Sequence, residues 1–163
     1  AIGRLVVDLL RPFHCRILIN DPYVPKEKIE KYGCKAVSKE ELLKEADIVS
    51  LHGRIGPNDP PIIGKKELSM MNKNSYLINT ARAVLVDMDA LYEALKDHDI
   101  KGAAIDVFPK EPLPDNYPLL SLDNCTLTNH RGGDTIDSYN RAPEQLLEQF
   151  QEVLKTGSTK YMI

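Results

Sequence analysis

Apolar positions along this chain alternate between two spacings. From residue 2 to 13, Ile2, Leu5, Val6, Leu9 and Leu10 recur three and four residues apart, the interval of an amphipathic helix, and Pro12 marks its end. Residues 15–21, "CRILIND", form a short Ile- and Leu-rich run of strand character. The same alternation continues down the chain. Helices are predicted over 25–33, 39–46, 65–71, 87–99 and 134–157, and strands over 34–37, 47–52, 75–80, 101–108 and 124–130. Gly33 and Gly157 stand where helices stop, and Pro143 lies inside the last helix as a candidate kink. Ser38 with Glu41 three residues on reads as a capping box. Met88, Leu91 and Leu95 share one side of their helix. The segments 53–64 and 109–118 are dense in Gly and Pro and read as loops.

Short apolar strands separated by helices mean parallel crossovers and a sheet covered on both faces. The predicted architecture is an α/β, Rossmann-like, doubly wound parallel sheet. Such sheets bind ligands beyond the carboxyl ends of their strands. Asp21, His52, the run Asn79–Arg82, the run Asp106–Glu111 and His130 all fall there. Polar residues after strands are ordinary singly; five sets together predict a polar rim.

Composition narrows the function classes. The 163 residues suit one domain, and 42% are hydrophobic, enough for a core. Lys and Arg number 21 against 24 Asp and Glu, a net charge of −3. That balance disfavours nucleic acid or an anionic membrane as partner, since both want a basic face. No apolar run reaches membrane-span length and no secretory pattern opens the chain. Cys15, Cys34 and Cys125 are an odd, scattered set. They read as small buried thiols in a reducing, cytoplasmic compartment, not as a disulfide framework or zinc site. No two histidines have metal-ligand spacing, and no metal is expected. His14 and His98 read as surface residues.

Gly3 and Asp21 raise a sharper possibility. A dinucleotide-binding fingerprint ends in a glycine at the start of its first helix, with an acidic residue about twenty positions on that binds the ribose hydroxyls. Gly3 and Asp21 fit that pair, as does a chance glycine followed by a turn aspartate. A carboxylate at that point favours NAD over NADP, because a 2′-phosphate beside it would be repelled.

Four segments, in order and with compatible spacing, carry a family likeness. "AIGRLVVDLLRPFHCRILINDPYVP", "SYLINTARAVLVDMDAL", "GAAIDVFPKEPLP" and "LTNHRGGDT" are spread over most of the chain, from residue 1 to residue 135. The sequence resembles the NAD-binding domain of the D-isomer-specific 2-hydroxyacid dehydrogenases. The resemblance implies an NAD-dependent enzyme interconverting a small 2-hydroxy acid and its 2-oxo acid. His130 would exchange the substrate hydroxyl proton, a task suited to imidazole. Glu111 would hold the other ring nitrogen and fix the tautomer. Arg82 would grip the substrate carboxylate through paired hydrogen bonds. Ile2, Gly3, Asp21, Pro22, His52, Thr80, Ala81, Asp106 and Gly132 would line the cofactor. Asn79 and Thr80 would shape the turn that aims Arg82. Nicotinamide carries the hydride, so no nucleophile is needed. A cytoplasmic homodimer is the expected full-length form.

Three local departures stand out. Asn129, not Pro, precedes His130; Ala83, not Gly, follows Arg82; and "GRIGPNDPP" replaces a Leu-Pro segment after His52. They leave the cofactor contacts near Ala83 and residues 53–61 open, and Arg54 and Arg131 open to substrate contact. The likeness begins at the fingerprint's third glycine. Its first strand and earlier glycines, with most of the substrate domain, are therefore expected outside this sequence, which should not turn over substrate alone. Residues 1–133 would form the NAD-binding part, and 134–163 a helical segment returning to the substrate domain. That last helix could instead bind a partner. A dinucleotide-sensing, corepressor-like module without turnover is the alternative to an enzyme.

Overall fold

The computed structural model describes residues 2–56 and 59–159. Within them the chain falls into two units, one inside 1–129 and one inside 130–163.

The first unit opens with helix α1 (Ile2–Leu10), which tightens into a 3₁₀ turn at Arg11–Phe13 around Pro12. The strand expected over 15–21 is shorter, β1 (Leu18–Ile19), and pairs in parallel with β2 (Lys35–Ala36). Between them runs α2 (Lys26–Lys31), after which Gly33 adopts a positive φ of 81°. Val7, Ile29 and Cys34 form a small core between these elements. The apolar stripe of α1 is not what this core buries. Val7 is buried, whereas Ile2, Leu5 and Leu9 are all more than half exposed. The reason is directional: α1 meets this small core through Val7, and the stripe lies on other faces of the helix.

The main sheet follows. Strands β3 (Ile48–Leu51), β4 (Tyr76–Asn79), β5 (Gly102–Ile105) and β6 (Cys125–Leu127) run parallel in that order. Helices α3 (Lys39–Glu45), α4 (Lys65–Met70) and α5 (Met88–Lys96) connect the chain around it. Among the described residues β1 pairs with β2 and β3 with β4, so the two ladders remain separate.

Local chemistry explains the helix boundaries. Ser38 Oγ accepts the Glu41 amide at 3.1 Å, as an N-cap should. The Glu41 carboxylate takes Lys35 Nζ at 2.6 Å, so only the cap half of the expected box is seen. A returning carboxylate appears instead at α4, where Glu67 accepts the Gly64 amide at 3.2 Å. Asp87 caps α5 by accepting the Ala90 amide at 3.0 Å, and Met88, Leu91 and Leu95 are buried as their spacing requires. The core these helices share with the sheet includes Leu43, Leu77, Leu85, Ile100, Ile105 and Leu119.

The expectation of three buried thiols needs one correction. Cys34 is buried and Cys125 half-buried, but Cys15 is exposed, because it sits in the connector between the 3₁₀ turn and β1. His14 and His98 are exposed, as expected.

The second unit is dominated by α6 (Ile136–Thr156). Thr135 caps it by accepting the Ser138 amide at 3.1 Å, and Gly157 ends it at a positive φ of 75°. Pro143 is accommodated within its length. Ile136, Tyr139, Leu147, Phe150 and Leu154 are exposed along it.

Candidate functional site

Strand register builds the site. Leu51, Asn79, Ile105 and Leu127 lie opposite one another across the four parallel strands. The next residue of each strand is therefore His52, Thr80, Asp106 and Thr128. These four form a row along the carboxyl rim of the sheet, and each is where its strand ladder gives way to loop. Three of them were expected there from the sequence. Thr128 was not, although counting register from Asp106 would have found it. Its hydroxyl donates to Asp106 Oδ1.

The turn after β4 is fixed by a buried amide. Asn79 is fully buried; its Oδ1 accepts the Ala81 amide at 3.1 Å and its Nδ2 donates to the Arg82 carbonyl at 2.9 Å. The Arg82 side chain is exposed and donates to the Ala81 carbonyl at 2.6 Å. Glu111, in the loop after β5, accepts the Phe108 amide through Oε1 at 2.9 Å. Phe108 is itself buried and packs edge-on to Tyr117. The carboxylate of Glu111 is thereby tied to a rigid part of the core.

His52 lies close to the start of α1. A methyl group on Gly3 would meet the His52 Cβ at 3.5 Å and its imidazole at 3.7 Å, ordinary contacts, so packing alone does not demand glycine at that position. Ser50 Oγ and His52 Nε2 are 3.0 Å apart. Desolvation pushes the His52 pKa below the usual imidazole value, which favours the neutral ring at pH 7. Ile2 and Gly3 occupy the first turn of α1, which holds no acidic residue. An anion would meet unopposed amide dipoles there.

Asp21 follows β1 and is exposed. Its Oδ1 accepts the Tyr23 amide at 2.9 Å across Pro22, a short turn that holds the carboxylate at the strand end. His130 and Gly132 belong to the second unit. His130 adopts a left-handed φ of 54°, and the adjacent Arg131 is paired with Asp134 at 2.7 Å.

The two thiols set inside the fold offer no ready nucleophile. Burial pushes Cys125 up to about 11 and raises Cys34 as well, so both are protonated at neutral pH.

Comparison with known proteins converges on one family. Residues 1–132 match the D-isomer specific 2-hydroxyacid dehydrogenase, NAD binding domain. The chain is 43% identical over 155 residues to D-3-phosphoglycerate dehydrogenase of Methanocaldococcus jannaschii, covering 94% of this chain and 29% of that protein. It is 38% identical over 148 residues to glyoxylate reductase of Korarchaeum cryptofilum, covering 90% and 44%. Among solved structures, the NAD-complexed D-isomer specific 2-hydroxyacid dehydrogenase of Lactobacillus delbrueckii ssp. bulgaricus superposes with a TM-score of 0.82 at 30% identity, covering 98% of this chain and 51% of that one. A glyoxylate reductase from Paecilomyes thermophila gives 0.84 at 31% identity, covering 96% and 47%. The chain thus spans less than half the length of the two curated relatives and about half of the two structures. It belongs to the NAD-binding domain family of the D-isomer-specific 2-hydroxyacid dehydrogenases, whose cofactor is NAD.

Proposed function

We propose that this chain is the NAD-binding part of a dehydrogenase that interconverts a small D-2-hydroxy acid and its 2-oxo acid. The observation that carries the reading is the row His52, Thr80, Asp106 and Thr128 along one carboxyl rim, set by strand register. That rim is where doubly wound sheets bind dinucleotides.

The residues suit the cofactor. The first turn of α1, with Ile2 and Gly3, takes the pyrophosphate. Asp21 with Pro22 takes the adenosine ribose. His52, Thr80 and Ala81 line the bound dinucleotide, and Asp106 and Gly132 lie towards its nicotinamide end. NAD, when bound, supplies or accepts the hydride. Arg82 binds the substrate carboxylate in a bidentate grip and releases the Ala81 carbonyl to do so. His130 gives a proton to the 2-oxo oxygen in reduction and takes it back in oxidation, with Glu111 orienting its ring.

The remaining organisation follows the same reading. Residues 1–133 serve the cofactor and 134–163 return towards the substrate-binding part. The full-length protein is cytoplasmic and homodimeric. Its small-molecule partner is a 2-hydroxy or 2-oxo acid, with no role for nucleic acid or membrane. No helix among the described residues is long and apolar enough to cross a membrane.

The test uses full-length protein with NADH and a panel of 2-oxo acids. His130→Ala should lower turnover about 100-fold or more, while NADH affinity stays within about threefold. Unchanged turnover in that variant overturns the assignment.

A further inference from the structure

Asn79 is a fully buried side-chain amide, and the bonds of that side chain all go to the turn at the rim. Its backbone carbonyl accepts the Asp106 amide at 3.0 Å. Its side chain clasps Ala81 and Arg82 from both ends, amide oxygen to the Ala81 N–H and amide nitrogen to the Arg82 carbonyl. The Arg82 carbonyl also accepts the Leu85 amide at 3.2 Å, which opens the 3₁₀ turn Ala83–Leu85. Leu85 is fully buried, so the far side of the turn is anchored too.

We infer that Asn79 is a positioning residue for substrate binding: its amide fixes the peptide that carries Arg82 and registers it against Asp106. This rests on the reading that Arg82 grips the substrate carboxylate. A buried amide with both ends satisfied by one turn defines that turn's shape, because losing either bond leaves a buried group unpaired. Arg82 itself is exposed and reaches its target on a long, flexible side chain. Its aim therefore depends on where the backbone at 81–82 is held. Displacement of that backbone would impair carboxylate recognition, and the preference for a charged over an uncharged substrate reads that loss separately from any change at Ala81, which faces the cofactor.

The experiment compares glyoxylate with its amide, glyoxylamide, as NADH-dependent substrates of the full-length protein. The amide lacks the negative charge that Arg82 recognises. Arg82→Gln is the control and should collapse the preference for the acid. Asn79→Asp keeps the shape and removes the donor to the Arg82 carbonyl. It should lower the acid-over-amide preference about tenfold or more, mainly by raising KM for glyoxylate at saturating NADH. Asn79→Ala, which loses both bonds without introducing an acid, is the second variant should the first not fold. A merely structural role would lower the melting temperature and leave the acid-over-amide ratio intact, and that result overturns the inference. If Arg82→Gln keeps the preference, the carboxylate role of Arg82 fails, and the inference falls with it. A collapse in Arg82→Gln but not in a folded Asn79 variant refutes the role of Asn79 alone.

Discussion

Gly102→Ala tests the packing that holds the rim together. Gly102 begins β5 and lies opposite Tyr76 of β4. A Cβ there would stand 2.8 Å from the Asn124 carbonyl oxygen and 3.1 and 3.2 Å from the Tyr76 ring. The ring can yield, but the carbonyl is backbone and is already committed, accepting the Ala103 amide at 3.0 Å. Restoring ordinary contact means moving that carbonyl by about 0.5 Å, which would stretch this bond towards its limit. Overpacking of this kind costs about 1–3 kcal/mol, and a weakened hydrogen bond about 0.5–1.5 kcal/mol. The reduced freedom of the unfolded chain returns about 0.4–1 kcal/mol. The expected net loss is about 2–3 kcal/mol, read as a lower urea midpoint at unchanged m-value. Asp106 lies four residues further along, about 13 Å at the rise of a strand. NADH affinity of the folded variant should therefore be nearly unchanged. A midpoint indistinguishable from the unsubstituted protein would refute the claimed closeness of β5 and β6. A large loss of NADH affinity in a stably folded variant would refute the separation of packing from rim.

Two further outcomes can be checked. Lys39 and Glu67 join α3 to α4 at 2.8 Å, and the hydrogen bond from Lys39 holds the Glu67 carboxyl below its usual pKa. A depressed carboxyl pKa stabilises the fold above its unfolded value of about 4.3, and that contribution disappears as pH falls through the folded pKa. Lys39→Met should flatten the acid side of the stability profile, by less than about 1 kcal/mol given the exposed lysine; parallel urea midpoints from pH 6 to pH 3 would contradict it. Asp21→Asn preserves the acceptor for the Tyr23 amide and removes the charge. It should weaken NADH binding about tenfold or more and narrow the preference over NADPH, measured by calorimetric titration; equal affinity would remove Asp21 from the ribose site.

Much of the fold was legible because its signals are local. Gly33, Ser38 and Gly157 mark helix ends through bonds or dihedrals confined to neighbouring residues, and each serves where the pattern placed it. Burial was harder to read. The stripe Ile2, Leu5 and Leu9 is apolar at helical spacing, yet Val7 carries the packing, because periodicity shows that a helix has an apolar face and not which element covers it. Glu41 shows the same limit on a smaller scale. Its spacing from Ser38 suits a capping box, but Lys35 on β2 supplies a charged partner. Cys15 is apolar in character and exposed in fact, since it falls in a connector.

The site divides along the same line between local and long-range information. Asp21, His52, Thr80 and Asp106 could be placed at strand ends from the sequence alone. What made them a row was the register Leu51–Asn79–Ile105–Leu127, a property of four strands spread along the chain. Register also brought in Thr128, whose own residue type carries no functional signal, by setting it opposite Asp106. The buried amide of Asn79 joins both scales. It is a strand residue whose backbone extends the ladder to β5 and whose side chain dictates the local turn to Arg82. One residue thereby converts sheet geometry, fixed by a core of Leu77, Leu85 and Ile105, into the placement of a guanidinium at the surface. The chemistry proposed for this rim thus depends on side chains that never meet the substrate.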